Sequence, residues 1–368
     1  MNRILEIDEA NATATVEAGV VTADLQTAVE KLGLFYPPDP SSIKESTIGG
    51  NIATNAGGPR CLKYGVTGNY VLGLTVVLAD GRILHAGNKC IKDVVGYDLK
   101  ALFTGSEGTL GVITEALLRL TSKPRFVRTA LVEFPSLPDA SRTVNAILST
   151  GLLPATLELM DETAIACVEQ AMHLGLPMDV EAVLIIESDG SDEDSVLREI
   201  EAVATICQAS GARQVKVAKD ETERSKLWEA RRSVTAALAL KAPNKLGEDI
   251  TVPRSAIPEA IRRLKALSFK YGLLVVIFGH AGDGNLHPNI LFDKRDPEQW
   301  QKVQQMSAEE FALALELGGT LSGEHGVGML KRPYIQSALG PLSIEIQKRI
   351  KHVLDPENIL NPGKVFPD

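Results

Sequence analysis

The sequence predicts an α+β protein with two regions, and three observations carry that reading. The first third is rich in glycine and threonine and breaks into short alternating strands. From residue 130 onward, apolar strands interleave with amphipathic helices, the pattern of a sandwich with helices on one face of a sheet. No apolar run approaches the roughly 20 residues that span a bilayer. Across 368 residues, 44% are hydrophobic and 23% charged, the balance of a folded soluble chain. Thirty-eight Lys+Arg against 47 Asp+Glu leave a formal charge of −9, which argues against nucleic acid as a partner. Four cysteines stand at 61, 90, 167 and 207 without a C-x-x-C pair, so neither a zinc ribbon nor a disulfide framework is expected. The first residues lack the apolar core of a secretory signal, and the chain reads as cytoplasmic.

In chain order, residues 3–7 and 13–18 alternate as strands. A helix starts near Thr22, read as its N-cap, carries Leu25, Val29 and Leu32 on one face, and stops at Gly33. Residues 37–68 hold too many Gly, Pro, Ser and Asn for regular structure and read as a long functional loop. Residues 72–79 and 82–86 flank Asp80-Gly81, a hairpin signal. A glycine turn and a strand occupy 105–120, and Lys123-Pro124 marks a boundary. Beyond it, strands are expected at 130–134, 156–160, 182–187, 214–218, 248–252, 273–278 and 287–292. Helices are expected at 139–149, 161–174, 191–210, 257–271 and 297–317, with another under WEARRS at 228–233. The tail DPENILNPGKVF reads as a clamp without regular structure.

Two glycine-rich segments, TIGGNIATNAGGPRCLKYG at 47–65 and the turn at Ser106, Glu107, Gly108, Thr109 and Gly111, suit close backbone approach to an anion. The sharper signal is GHAGDGNLHPN. It sets His280 and His287 at either end of a loop tightened by Gly282 and Gly284, behind the buried strand LLVVIF. Two histidines with a carboxylate from elsewhere make a three-ligand metal site with open positions. Glu324 in SGEHGVG is the candidate carboxylate, and Asp283 is a rival that reads better as a turn residue. Neighbours in an extended loop point to opposite sides, so of Glu324 and His325 one ligates and the other faces substrate. An imidazole near a metal suits a general base. Arg231 and Arg232 read as solvated, unless one faces a cleft and binds a carboxylate with its fork; Lys245 is a second available cation.

PPDP, STIGGNIATNAGGPRCLKYG and GSEGTLGVIT together resemble the flavin-binding domain of the vanillyl-alcohol-oxidase superfamily. GHAGDGNLH, SGEHGVG and DPENILNPGK resemble its FAD-linked oxidase C-terminal domain, in the branch of glycolate oxidase D subunits, D-lactate dehydrogenases and D-2-hydroxyglutarate dehydrogenases. The resemblance covers nearly the whole chain. It implies a partial FAD-binding domain at 1–124 and an α+β sandwich of ferredoxin-like type, the substrate and metal domain, at 125–368. Non-covalent FAD is implied at Pro37, Asp39, Thr47, Gly49, Gly50, Asn51, Thr54 and Gly58, at Glu107, Gly108, Gly111, Val112 and Ile113, and at Asn361. A divalent metal (zinc, manganese or iron) is implied at His280, His287 and Glu324, a base at His325, and substrate-carboxylate contacts at Arg231 and Lys245.

The implied activity is oxidation of a 2-hydroxy acid such as glycolate or D-lactate to the 2-oxo acid. Dioxygen, a quinone or an electron-transfer subunit would then reoxidise the flavin. One departure bears on this. Nothing in residues 1–36 matches the R-G-x-G-T-x-x-x-G loop with which the family holds the FAD pyrophosphate, so an N-terminal lobe is expected to be missing and FAD binding to be weaker. The rival reading is a flavin-poor, non-catalytic subunit or a truncated remnant of such a complex.

Overall fold

The alternation at the start of the chain becomes antiparallel pairing. β1 (Ile4–Asp8) pairs with β2 (Thr13–Glu17). After α1 (Thr22–Glu30), β3 (Leu34–Phe35), α2 (Ile48–Thr54) and α3 (Cys61–Tyr64) come the hairpin strands β4 (Val71–Val77) and β5 (Ile83–Gly87). Then follow α4 (Leu99–Phe103), β6 (Val112–Arg119) and β7 (Thr121–Ser122). The main sheet runs β1-β2-β6-β4-β5, and β3 pairs separately with β7. This computed structural model describes residues 1–367 and divides into two units: Met1–Lys123 with the segment from Glu324 onward, and Pro124–Gly323. Val16, Leu25, Val29, Tyr36, Ile52 and Leu118 are among the first unit's core residues.

Two local expectations change. Thr22 does not cap α1. Val21 holds that position, and the Thr22 hydroxyl donates to the Ser46 carbonyl at 3.0 Å and accepts from Asn51 Nδ2 at 2.8 Å. The glycine-rich stretch is not all loop, because IGGNIAT forms α2. The Thr47 hydroxyl accepts from Gly50 N at 3.2 Å as a cap, while Ile48 and Ile52, four apart, enter the core. At Gly49, a Cβ would lie 2.7 Å from the Ala18 Cβ, so glycine permits the helix to lie on the end of β2.

The second unit contains β8 (Phe126–Phe134), α5 (Leu137–Ser149), β9 (Thr156–Asp161), α6 (Glu162–Met172), β10 (Ala182–Gly190), α7 (Glu193–Ala209) and β11 (Gln214–Val217). It continues through α8 (Glu221–Ala237), β12 (Asn244–Gly247), β13 (Ile250–Thr251), α9 (Ile257–Tyr271), β14 (Leu274–His280), β15 (Asn285–Phe292) and α10 (Pro297–Glu316). Its eight-stranded antiparallel sheet runs β11-β8-β10-β9-β14-β15-β12, with β13 also on β15. Of the strand expected at 248–252 only Ile250–Thr251 forms, as β13, and the separate strand β12 precedes it.

Helices cover both faces of this sheet, not one. Met160, Val183, Ile185 and Phe278 pack with Ile165 and Val168 of α6 and Ala230 and Val234 of α8. α7 and α9 pack on the other face, with α5 against them. The strands explain this: every residue of β9, β14 after Leu274, and β15 is buried, so neither face can be left to water. The chain then returns to the first unit through α11 (Ile335–Leu339) and α12 (Pro341–Leu354), two helices the sequence reading did not foresee, with Ile350 and Leu354 against that unit's core.

Candidate active site

In the second unit the two histidines stand on adjacent strands. β14 ends at His280, residues 281–284 turn, and the register sets Phe278 opposite His287 and His280 opposite Asn285. Both imidazoles are buried, with ring centroids 5.1 Å apart in an edge-on arrangement. At the turn, Gly284 has φ +88°, and a side chain there would strike the Val252 carbonyl. Asp283 accepts from Asn285 N at 3.3 Å, which supports its reading as a turn residue.

A carboxylate that the sequence reading missed ties this site together. β9 pairs with β14 so that Glu158 lies opposite His280. Glu158 Oε1 lies 2.7 Å from His280 Nδ1, and Oε2 accepts from Arg231 Nε at 2.7 Å. The three side chains are 0%, 4% and 5% exposed, respectively, so water competes for none of these bonds. Burial pushes the Glu158 carboxyl up, but its interactions with His280 and with the Arg231 guanidinium outweigh it and hold it below its usual pKa. An ionised carboxylate only accepts, so Nδ1 of His280 carries a proton, and in the neutral imidazole Nε2 then keeps its lone pair.

Arg231 is buried, contrary to the solvated reading, whereas Arg232 is exposed. Its guanidinium carbon lies 4.9 Å from the Phe278 ring centroid. Its Nη2 is buried and makes no hydrogen bond. A desolvated guanidinium edge of that kind fits an anion. Lys245, on the sheet-edge strand β12 opposite Leu291, is exposed, and partial desolvation lowers its pKa. Asp249 is a buried acid on the His287 side. It accepts from Asn285 Nδ2 at 2.7 Å, Ser322 Oγ at 2.6 Å and Gly323 N at 3.1 Å, and its Oδ1 lies 3.9 Å from His287 Nδ1. Glu324 follows Gly323 directly in sequence.

In the first unit, Glu324 is mostly buried and His325 is half exposed. They do not point to opposite sides: His325 Nε2 lies 3.8 Å from Glu324 Oε1, because the backbone bends there and is not extended. A Cβ at Gly57 would stand 2.7 Å from Glu324 Oε2, so glycine lets this carboxylate lie close against the backbone. The residues expected to contact flavin are also in this unit. Pro37 is buried, and Asp39 accepts from Arg60 N at 3.2 Å. A side chain on Gly58 would meet the Asp39 carbonyl. Asn51 is committed inward to Thr22, while the Thr54 hydroxyl donates to the Gly50 carbonyl at 3.3 Å. Glu107, in the left-handed region at φ +52°, accepts from Val327 N at 2.7 Å and Gly328 N at 2.8 Å, and its carbonyl accepts from Asn361 Nδ2 at 2.6 Å. The structure thus brings Glu107 and Asn361 together. A side chain on Gly111 would run into Val76 and Phe103. Gly108 is open to its surroundings, Val112 is exposed, and Ile113 leans on the core.

Comparison with known proteins adds to this geometry. The signature of FAD linked oxidases, C-terminal domain, matches residues 123–365, and that of an FAD binding domain matches residues 1–87. The chain is 50% identical over 366 residues to the glycolate oxidase subunit GlcD of Bacillus subtilis, covering 100% of this chain and 78% of that protein. It is 37% identical to a D-lactate dehydrogenase of Anaerostipes hadrus, covering 99% of this chain and 78% of that protein. Among solved structures, p-cresol methylhydroxylase with substrate bound superposes with a TM-score of 0.81 at 18% identity, covering 100% of this chain and 78% of that one.

Proposed function

Because the chain belongs to the FAD-linked oxidase family, we propose that it oxidises a small 2-hydroxy acid to the 2-oxo acid with FAD. The observation that carries the substrate class is the buried, unpartnered Nη2 of Arg231 beside two buried imidazoles. A carboxylate supplies the missing acceptor, and the imidazoles suit a divalent cation that a 2-hydroxy acid chelates. The names of the relatives, glycolate oxidase subunit and D-lactate dehydrogenase, point to the same class.

In this reading the roles divide as follows. Arg231 binds the substrate carboxylate through Nη2 while its Nε stays on Glu158. Lys245 adds a second positive charge. His280 and His287 offer imidazole lone pairs, and Glu324 an anionic oxygen, to one cation of zinc, manganese or iron type. The donor set fits: two neutral nitrogens and one carboxylate leave positions open for substrate. His325 takes the hydroxyl proton on a ring nitrogen. A metal held there would supply Lewis acidity toward the substrate hydroxyl, and FAD would supply the hydride acceptor for Cα. The Glu107 turn, with open Gly108 and exposed Val112, together with the α2 loop, fits a flavin ring placed against backbone.

We assign the FAD-binding domain to 1–124 and the substrate and metal domain to 125–368. Electrons leave to dioxygen, a quinone or a partner subunit, consistent with the subunit name of the Bacillus relative. No helix among the described residues is long and apolar enough to cross a membrane, and we place the protein in the cytoplasm. The test is anaerobic mixing of FAD-reconstituted protein with glycolate, D-lactate, L-lactate and D-2-hydroxyglutarate. Bleaching of the flavin band by at least one acid is expected. No bleaching by any of them, with dithionite still reducing the flavin, refutes the proposal.

A further inference from the structure

We propose that Glu158 is a positioning residue that fixes the tautomer of His280 and the aim of Arg231 with the two oxygens of one carboxylate. The inference rests on the reading above, in which His280 is a ligand and Arg231 an anchor. Its basis is geometry within one unit. Oε1 and Oε2 each make a bond of 2.7 Å, one to an imidazole and one to a guanidinium, and no solvent reaches Glu158. The strand register sets Glu158 directly opposite His280, so the backbone as well as the side chain holds the pair. Phe278, two residues before His280, lies under the same guanidinium. Any rotation of the carboxylate disturbs both partners together. The metal ligand and the substrate anchor are therefore built as one piece.

The chemistry makes this specific to an acid. A carboxylate offers acceptors to both neighbours. A glutamine of the same shape offers one acceptor and one donor. The guanidinium cannot give up its proton, so the glutamine oxygen must face Arg231 and its NH2 must face His280. His280 then relieves the donor–donor conflict in one way: it shifts its proton from Nδ1 to Nε2. That shift removes the Nε2 lone pair that a cation would use. Glu158→Gln thus leaves Arg231 with a partner and costs His280 its ligating nitrogen.

The test uses the full chain without metal and reads histidine tautomers by nitrogen-15 NMR, with His280→Ala assigning the His280 signals. In the wild type His280 is expected to carry its proton on Nδ1, and in Glu158→Gln on Nε2. Calorimetric titration with cobalt(II) is then expected to show affinity about 10- to 100-fold weaker in Glu158→Gln than in the wild type, the usual size of an outer-shell effect. A wild-type His280 protonated on Nε2 overturns the inference without any variant, should Glu158→Gln fail to fold. So does a Glu158→Gln protein whose tautomer and cobalt affinity both match the wild type. If the wild type binds no cobalt, the metal reading itself fails. The tautomer measurement, made without metal, tells that failure apart from a failure of the Glu158 assignment.

Discussion

Replacing Arg231 by lysine keeps the positive charge that buried Glu158 needs but removes the fork. In the native protein the guanidinium serves Glu158 through Nε at 2.7 Å and retains an unused Nη2. A lysine ammonium is a single point, so it can satisfy Glu158 or a substrate carboxylate but not both with good geometry. The buried carboxylate is the nearer partner and keeps it. The substrate then loses one charge-assisted hydrogen bond of about 1.5–3 kcal/mol. At about 1.4 kcal/mol per decade, that is a fall of roughly 10- to 150-fold in kcat/KM. The carboxylate is held in ground and transition states alike, so most of the loss should appear as a raised KM. Steady-state rates with a dye acceptor, run beside elemental analysis, measure it. If kcat/KM stays within about twofold of the wild type with metal retained, Arg231 serves only to neutralise Glu158 and the substrate-anchor reasoning is refuted.

Three further outcomes are expected. His325→Ala slows anaerobic flavin reduction by about 10²–10⁴-fold with metal content unchanged, whereas Glu324→Gln weakens cobalt binding; the reverse pattern swaps their roles. Glu107→Ala leaves the Val327 and Gly328 amides without their acceptor and makes residues 326–330 cleave faster in limited proteolysis, while cleavage at the wild-type rate shows that other contacts hold the segment. Glu310 is fully buried with neither oxygen hydrogen-bonded, and burial, then the charge of Glu248, raises its pKa well above the ordinary 4.5. The unfolded chain ionises first, so the native protein loses stability as pH rises from that ordinary value toward the native one. Glu310→Gln should therefore melt with the wild type at about pH 4 and above it at about pH 8, and equal melting at both would show an ionised, partnered Glu310.

Local pattern made some of this legible in the sequence and left other parts out of reach. The strand LLVVIF and the glycine turn after it specify the β14–β15 hairpin, because the pairing is local and both faces are apolar. The turn at 105–111 was legible from its glycines. Glu158 was not, since its partner lies 122 residues away and strand order is set by packing that no local pattern records. Its one sequence signal was an acid amid the apolar residues of TLELM. Arg231 was misread as solvated although a signal existed. Trp228, three residues earlier on α8, is buried with its Nε1 donating to Glu187 at 2.8 Å, and residues three apart share a helix face. Helix α2 was missed because its two glycines scored against a helix, while the Thr47 cap and the Ile48–Ile52 pair outweighed them.

The return of the chain to the first unit affects the order in which the protein is made. The bond between the Glu107 carbonyl and Asn361 closes a loop of 254 residues, and the Glu107 carboxylate closes others of similar length onto Val327 and Gly328. Closing so long a loop is entropically costly, though the cost grows only logarithmically with length. On the ribosome, the strands of residues 1–123 emerge with all their partner strands, but without the segment from Glu324 onward whose Ile350 and Leu354 pack against their core. Pro124–Gly323 has all of its sheet partners within its own span and can finish folding while residues 324–361 are still being added. The unit that holds residues 1–123 is thus completed after Pro124–Gly323, and in refolding from denaturant protection of the Val327 and Gly328 amides should lag behind that of β14 and β15.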